Sequence, residues 1–433
     1  MSSQKNNINE SIPIVGFFGL SHLGLVTSTV LSSLDVFTIC FDENTSLIKS
    51  LTNLKTEIRE PGLTELLEVA QQNQKFTNLL DDLSKCAIIY ISTDVPTDSF
   101  GNSDISYIET SILKASSINS NAIIVILSQV PPGFTRRVSQ LIPNLICYQV
   151  ETLVFGDAVE RSLHPTRIIL GIVEEKKTLY SDFLAILNRY NCPILVNNLE
   201  TAEFAKISIN AFLACDVALT NTLADLCEQI GANWKDVASA LRLDKRIGDY
   251  RYLIPGLGIS GGNIERDMRT LSVLGSNTSV DTSLVDSLIQ ANSHHKKWIH
   301  RKLSELKILE TEPLRVGILG ITYKQKTNSL KNSVAIDVMP LFGNASQIYI
   351  YDPAVNSYDF NFKNITYLNS AENIFELVDL LLILTPWDEF KAFKNSVNLE
   401  FLKGKVILDP YGILDQDYCY KLGINYFTRG NVI

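Results

Sequence analysis

Short, wholly apolar runs alternate with longer stretches of helical spacing along this chain. Ile14–Phe18 is apolar and stops at Gly19-Leu20-Ser21-His22-Leu23-Gly24, a helical pattern follows from Leu25 to Leu34, and Val36–Phe41 is a second apolar run closed by Asp42. Ala87–Ser92 and Ala122–Ser128 are continuous runs rich in Ile and Val, the composition of parallel strands covered on both faces. From Thr201 to about Leu274 the spacing becomes helical, with Phe204, Ile207, Ala211, Ala214 and Leu219 on the apolar positions, and Ser283–Ile308 predicts another long helix. After Glu310-Thr311-Glu312-Pro313 the strand-and-turn rhythm returns in Arg315–Gly320, Ile348–Pro353, Leu380–Thr385 and Val406–Asp409.

This order predicts an α/β protein with two Rossmann-like doubly wound parallel-sheet domains joined by a central helical segment, divided at 1–200, 201–310 and 311–433. The first strand, tight turn and helix bring backbone N–H groups and a helix N-terminus to where a pyrophosphate is held, with Gly19, Ser21, Leu23 and Gly24 framing the turn. Ser21 stands where the fingerprint has its middle glycine. Asp42 lies about 20 residues on, where a ribose hydroxyl needs an acceptor. Ligands of such sheets lie beyond the carboxyl ends of strands, so Thr93 and Ser128 are candidate cofactor contacts.

Two further features carry chemistry. Lys206 and Asn210 are four apart and share a face of the predicted helix. The stretch Tyr252–Asp267 holds Gly256, Gly258, Ser260, Gly261 and Gly262, so its backbone can take positive φ and approach a bound group closely.

With 433 residues, 45% hydrophobic and 20% charged, the chain has the composition of a multidomain globular protein. The net charge of -9 and the lack of a basic stripe disfavour nucleic acid as a partner. Residues 1–12 are polar and no run of about 18 apolar residues is evident, so we expect a cytoplasmic protein with no membrane partner. The seven cysteines are scattered singly, which reads as buried free thiols. His294, His295 and His300 read as surface residues and not as a metal site, because neighbours in a helix point to different faces.

Over nearly its whole length the chain resembles the UDP-glucose/GDP-mannose dehydrogenase family. The matching pieces are collinear: Gly19–Leu25, Glu60-Pro61-Gly62-Leu63, Gly101-x-x-Asp104-x-Ser106-Tyr107-x-Glu109, Ala202-Glu203-Phe204-x-Lys206, Asn210–Ala214, Asp244-x-Arg246-Ile247-Gly248, the glycine loop to Asp267, Leu319-Gly320-x-x-Tyr323-Lys324, Tyr351-Asp352-Pro353 and Thr385-x-Trp387-x-Glu389-Phe390. The resemblance implies oxidation of a sugar C6 alcohol with NAD as cofactor on a nucleotide sugar, UDP-linked by its closest pattern. It places Lys206, Asn210, Asp267, Asn263 and Glu151 at catalytic positions, and Lys331 among the cofactor contacts. Tyr252, Gly258, Ile259, Gly261 and Lys324 fall at substrate positions. Arg246 matches a residue that reaches a neighbouring subunit's site, which implies a homodimer.

The departures cluster. The family's loop cysteine, which carries the thiohemiacetal and thioester of a second oxidation, is Asn263 here. A water-positioning threonine is Gln129, a second acid is Phe155, and a substrate-domain arginine is Tyr411. Cysteine, acid and threonine serve the second half-reaction, whereas Lys206, Asn210 and Asp267 serve the first hydride transfer. The expectation is a reaction that stops at, or works through, a 6-aldehyde, with C5 epimerisation or elimination on retained NADH as variants. The other reading is a catalytically silent binding homologue.

Overall fold

A computed structural model describes residues 12–95, 104–310, 313–358, 360 and 364–431. Gly101, Thr311 and Glu312 lie outside the described residues, as does the polar stretch 1–11. The chain divides into two compact units, Met1–Lys206 and Ile207–Ile433, so the helical middle and the last sheet form one unit.

The first unit is built on eight strands: β1 (Val15–Phe18), β2 (Thr38–Phe41), β3 (Gln74–Thr77), β4 (Ile88–Ile91), β5 (Ile123–Ile126), β6 (Ile146–Gln149), β7 (Ile168–Ile172) and β8 (Ile194–Asn198). Their order is β3-β2-β1-β4-β5-β6-β7-β8. All pair in parallel except β6 with β7. Every residue of β1, β2, β4 and β5 is buried, which is why these strands read as unbroken apolar runs. Phe17 and Tyr90 stack across β1 and β4 with centroids 4.8 Å apart. Helix His22–Ser33 is buried from Gly24 to Ser32 despite its hydroxyls. Ser28 and Thr29 donate to Leu25 O and Ser32 to Ser28 O, so these three buried hydroxyls find their acceptors within the helix.

The second unit carries six parallel strands, β9 (Arg315–Leu319), β10 (Gln347–Tyr351), β11 (Ile365–Tyr367), β12 (Leu380–Ile383), β13 (Val406–Leu408) and β14 (Asn425–Phe427), ordered β11-β10-β9-β12-β13-β14. Counted from each unit's first strand, this repeats the order of the first six strands of the other sheet. Ahead of it run helices Trp234–Leu243, Asn263–Thr278, Ser283–Lys296 and Trp298–Glu305. The single long helix expected over Ser283–Ile308 is therefore broken at Lys297.

Helix Leu199–Ile230 contains the unit boundary, with Lys206 in the first unit and Asn210 in the second. The helix contains no unbroken run of about 18 apolar residues, yet averaged over a window it is apolar enough to cross a membrane. Its length and composition suffice, with a mean hydropathy of 1.4 over the best window, of which 39% is buried. Polar residues interrupt the sequence run, but the helix averages them out.

Candidate functional site

The turn after β1 is shaped by what a side chain would strike. Gly19 has φ +94°, and a Cβ there would lie 2.4 Å from Thr93 Cγ2; one on Gly24 would lie 2.2 Å from Gly19 O. The bare turn leaves backbone N–H groups facing outward at the start of helix His22–Ser33, a cradle for an anion. The Ser21 hydroxyl turns back to donate to Ser92 O at 2.8 Å, so it braces the turn without capping the helix. Asp42, at the end of β2, accepts from Leu20 N at 2.8 Å through Oδ2 and from Asn44 N at 2.9 Å through Oδ1. Each oxygen keeps capacity for one more donor. Ser128 donates to Thr93 O at 2.6 Å and ties the ends of β4 and β5 together. Thr93 Oγ1 is buried with no partner, an orphan at the strand end where a bound cofactor would supply one. Bare cradle, ribose-side acid and orphan hydroxyl together fit a dinucleotide.

Beside this turn, His22 Nε2 meets Glu60 Oε2 at 2.8 Å, and Glu60 also accepts from Gly156 N and Ala158 N. Phe155 lays its ring on His22 with centroids 4.2 Å apart. Glu151 accepts from Leu153 N; burial pushes its carboxyl up, opposed by the charges of Lys206, His22 and Arg161. Glu151 and Lys206 thus belong to one electrostatic neighbourhood within the first unit.

In the second unit the glycine loop is clamped at both ends. Asn221 Oδ1 accepts from Gly256 N at 2.8 Å, Thr220 Oγ1 donates to Tyr252 O at 2.7 Å, and Trp234 Nε1 donates to Leu253 O at 2.9 Å. At the far end one amide, Asn292, accepts from Ile259 N at 2.6 Å and donates to Ile259 O at 3.1 Å. Gly258 and Gly261 have positive φ, and a Cβ would strike Asn292 Oδ1 at 2.6 Å and the Tyr323 ring at 2.5 Å respectively. Tyr411 covers Gly256 in the same way, 2.6 Å from a Cβ there.

The loop runs into helix Asn263–Thr278. Asn263 is its first residue and is exposed; Asp267, one turn on, is 1% exposed and accepts from Asn210 Nδ2 at 2.5 Å. Glu265 accepts from Lys296 Nζ, Asn292 and Asn332. Lys331 packs on Gly262 and its carbonyl accepts from Gly261 N at 3.2 Å, so this sequence-assigned cofactor residue borders the glycine loop. Lys324 Nζ lies 5.8 Å from the centre of the Tyr323 ring. Arg246 points outward, its side chain 88% exposed and paired only locally with Asp244 at 2.6 Å.

The last sheet repeats the first turn's devices. Gly320 has φ +85° against Thr385, and Asp352 Oδ2 accepts from Ile321 N, Thr322 N, Thr322 Oγ1 and Trp387 Nε1 at 2.7–3.2 Å. Here one carboxylate oxygen takes four donors.

One sequence expectation is overturned. His295 is not a surface residue: it is 2% exposed, with Nε2 facing Thr222 Oγ1 at 3.2 Å and Nδ1 facing Arg429 Nη2 at 3.1 Å. His294 is exposed and His300 half-buried. Ligand atoms of Asp225, His294 and His295 gather within 4.8 Å. The donor set does not fit a cation, because Arg429 already occupies Asp225 Oδ1 and His295 Nδ1, and Arg301 stands 3.7 Å from Asp225 Oδ2. Sequence reading also missed Asn221, Asn292 and Arg429. Their only signal is a polar residue at an otherwise apolar helical position, or a charge just after an apolar strand.

Sequence profiles of the UDP-glucose/GDP-mannose dehydrogenase family match the chain three times: its NAD binding domain at residues 14–189, its central domain at 200–294 and its UDP binding domain at 317–416. The UDP-glucose 6-dehydrogenase of Rickettsia typhi is 31% identical over 434 residues, covering 97% of this chain and 100% of that protein. The UDP-glucose 6-dehydrogenase TuaD of Bacillus subtilis is 27% identical, covering 96% and 93%. Among solved structures, a UDP-glucose dehydrogenase from Pyrobaculum islandicum superimposes with a TM-score of 0.85 at 22% identity over 98% of this chain and 99% of that one. A UDP-D-ManNAc dehydrogenase from Pyrococcus horikoshii gives 0.81 at 23% identity over 96% and 99%.

Proposed function

Because the chain belongs to the UDP-glucose/GDP-mannose dehydrogenase family and is an NAD-dependent oxidoreductase of nucleotide sugars, we propose that it takes the C6 alcohol of a UDP-linked sugar to the aldehyde by one two-electron step. The observation that carries this is Asn263. The first position of the loop helix bears an amide, and the seven free cysteines, Cys40, Cys86, Cys147, Cys192, Cys215, Cys227 and Cys419, all lie elsewhere in the sequence. An amide forms no thioester.

Bound NAD would supply the acceptor for the hydride leaving C6. The chain's residues do the rest. Gly19, Gly24 and the helix start would hold the pyrophosphate and Asp42 the ribose, and Thr93 Oγ1 would gain the partner it lacks. Lys206 is assigned to the charge growing on the sugar oxygen, and Asn210 with Asp267 to the water that takes the hydroxyl proton. Their 2.5 Å bond supports this pairing, since Asp267 orients the amide. Glu151, with its raised affinity for a proton, is assigned to the acid position between cofactor and sugar.

A homodimer through the helical middle is part of the proposal. Phe212, Leu219, Ile230 and Leu243 are 54–86% exposed along that segment, and the Arg246 side chain is 88% exposed.

The test is the ratio of NADH formed to UDP-glucose consumed, with products identified by mass and NMR. A ratio of one with a 6-aldehyde is expected. A ratio of two with a uronic acid would overturn the argument from Asn263, and turnover without net NADH would point to epimerisation or elimination.

A further inference from the structure

We infer that Arg429 is a positioning residue for the nucleotide-sugar loop, holding Gly256 in the place that binds the substrate; this rests on the reading of that loop given above. The residue follows β14 directly, and in sequence it is a charge near the end of the chain. Its side chain is 0% exposed. A buried guanidinium is costly unless its donors are matched, and here they are. Nε and Nη2 both donate to Asp225 Oδ1 and Nη1 to Asn221 Oδ1 at 3.0 Å and to Gly256 O, while Nη2 also lies 3.4 Å from Asn221 O and 3.1 Å from His295 Nδ1.

The acceptors are what give the inference its direction. Asn221 Oδ1 takes both Arg429 Nη1 and Gly256 N, so the two polar groups of Gly256 are fixed from one side by one arginine and one amide. Tyr411 closes on the other side, where Gly256 leaves no space for a side chain. His295 packs against the same guanidinium, with Nδ1 3.1 Å from Arg429 Nη2 and 3.6 Å from Asp225 Oδ2 and Nε2 3.2 Å from Thr222 Oγ1, whose own proton goes to Ala218 O at 2.9 Å. Gly430 continues the clamp: its N–H donates to Glu228 at 3.0 Å, its carbonyl accepts from Trp234 N at 2.8 Å, and Trp234 in turn holds Leu253 O. Lysine cannot reproduce this, because a point charge lacks the planar fork.

The experiment titrates UDP, UDP-glucose and, separately, NAD into the full chain by calorimetry, for wild type, Arg429→Met, Arg429→Lys, Arg429→Ala and Asn221→Ala. We expect Arg429→Met to weaken UDP-glucose by about tenfold, the loss of one charge-assisted hydrogen bond, with NAD affinity unchanged. Arg429→Lys should not restore it. Millimolar guanidinium should restore UDP-glucose affinity in Arg429→Ala, which general destabilisation would not. If Arg429→Met fails to fold, Asn221→Ala decides, since it removes the acceptor shared by Nη1 and Gly256 N. Wild-type affinity in a folded Arg429→Met or in Asn221→Ala would overturn the inference. If wild type binds no UDP nucleotide, the functional reading fails by itself. Amide exchange at Gly256 then tests the clamp without ligand, and unchanged protection in Arg429→Met would sink it.

Discussion

His22 and Glu60 meet at 2.8 Å, and through that contact the first residue of the nucleotide helix is joined to segment 156–158, whose N–H groups the same carboxylate accepts at 2.6–3.0 Å. Burial by itself would raise the Glu60 carboxyl. The bonds from His22, Gly156 and Ala158 together outweigh it and hold the group below the usual carboxylate range.

A carboxylate depressed in this way contributes stability that is complete above its unfolded pKa and is lost as pH falls through the folded one. Glu60→Gln should therefore cost about 1–3 kcal/mol at neutral pH, with the gap to wild type closing on acidification below about pH 4.3. Urea unfolding of the first unit across that range measures it, and a gap independent of pH would remove the charge from the account.

Asp42 keeps one free acceptor direction on each oxygen. Asp42→Ser should lower NAD affinity by about tenfold and narrow the preference over NADP, because the repulsion of a 2′-phosphate goes with the carboxylate. Competitive calorimetry with the two cofactors decides the matter; equal affinities in wild type would take Asp42 out of this role.

Asn263→Cys alone should yield little uronic acid, since Gln129 and Phe155 supply neither the water-positioning hydroxyl nor the acid for hydrolysis. Adding Gln129→Thr and Phe155→Glu should raise acid formation by more than the sum of the single changes, as for groups acting as a unit. Product analysis by mass spectrometry reads the outcome. Strictly additive yields would show that these positions do not cooperate.

Arg246→Ala should leave the melting temperature unchanged, because an exposed pair with Asp244 contributes little. It should weaken UDP-glucose binding and spare NAD. Sedimentation velocity at micromolar concentration should find a dimer or a higher even oligomer; a monomer would refute the assignment of Arg246 to a neighbour's site.

The parts of this fold that were legible are those where burial is one-sided in its demands. β1, β4 and β5 announce themselves because every residue is inside. β3 and β14 escape notice because Gln74-Lys75-Phe76-Thr77 and Asn425-Tyr426-Phe427 mix exposed and buried positions in three or four residues. β7 and β8 were hidden differently: antiparallel pairing of β6 with β7 lies beyond the repeating strand–helix rhythm that signals parallel sheets. At the site, the residues proposed to contact a ligand could be read from loop chemistry and spacing, as with Gly19, Asp42 and the glycine loop. Those that act by holding the loop could not, because Asn221, Asn292 and Arg429 take their meaning from partners 33 to 208 positions away.

Two cradles of like construction in one polypeptide create a hazard of mistaken identity, since a cofactor abundant in the cell might lodge in both. The unequal loading of Asp42 and Asp352 sets the two apart. One carboxylate holds a single backbone donor on each oxygen, whereas the other has four donors crowded on one oxygen and Ala354 N on its second. The crowded Oδ2 leaves Asp352 only Oδ1 open to a further donor, whereas Asp42 offers a direction on both oxygens. The two cradles thus share a turn geometry and differ in how far their acids are saturated by their own chain.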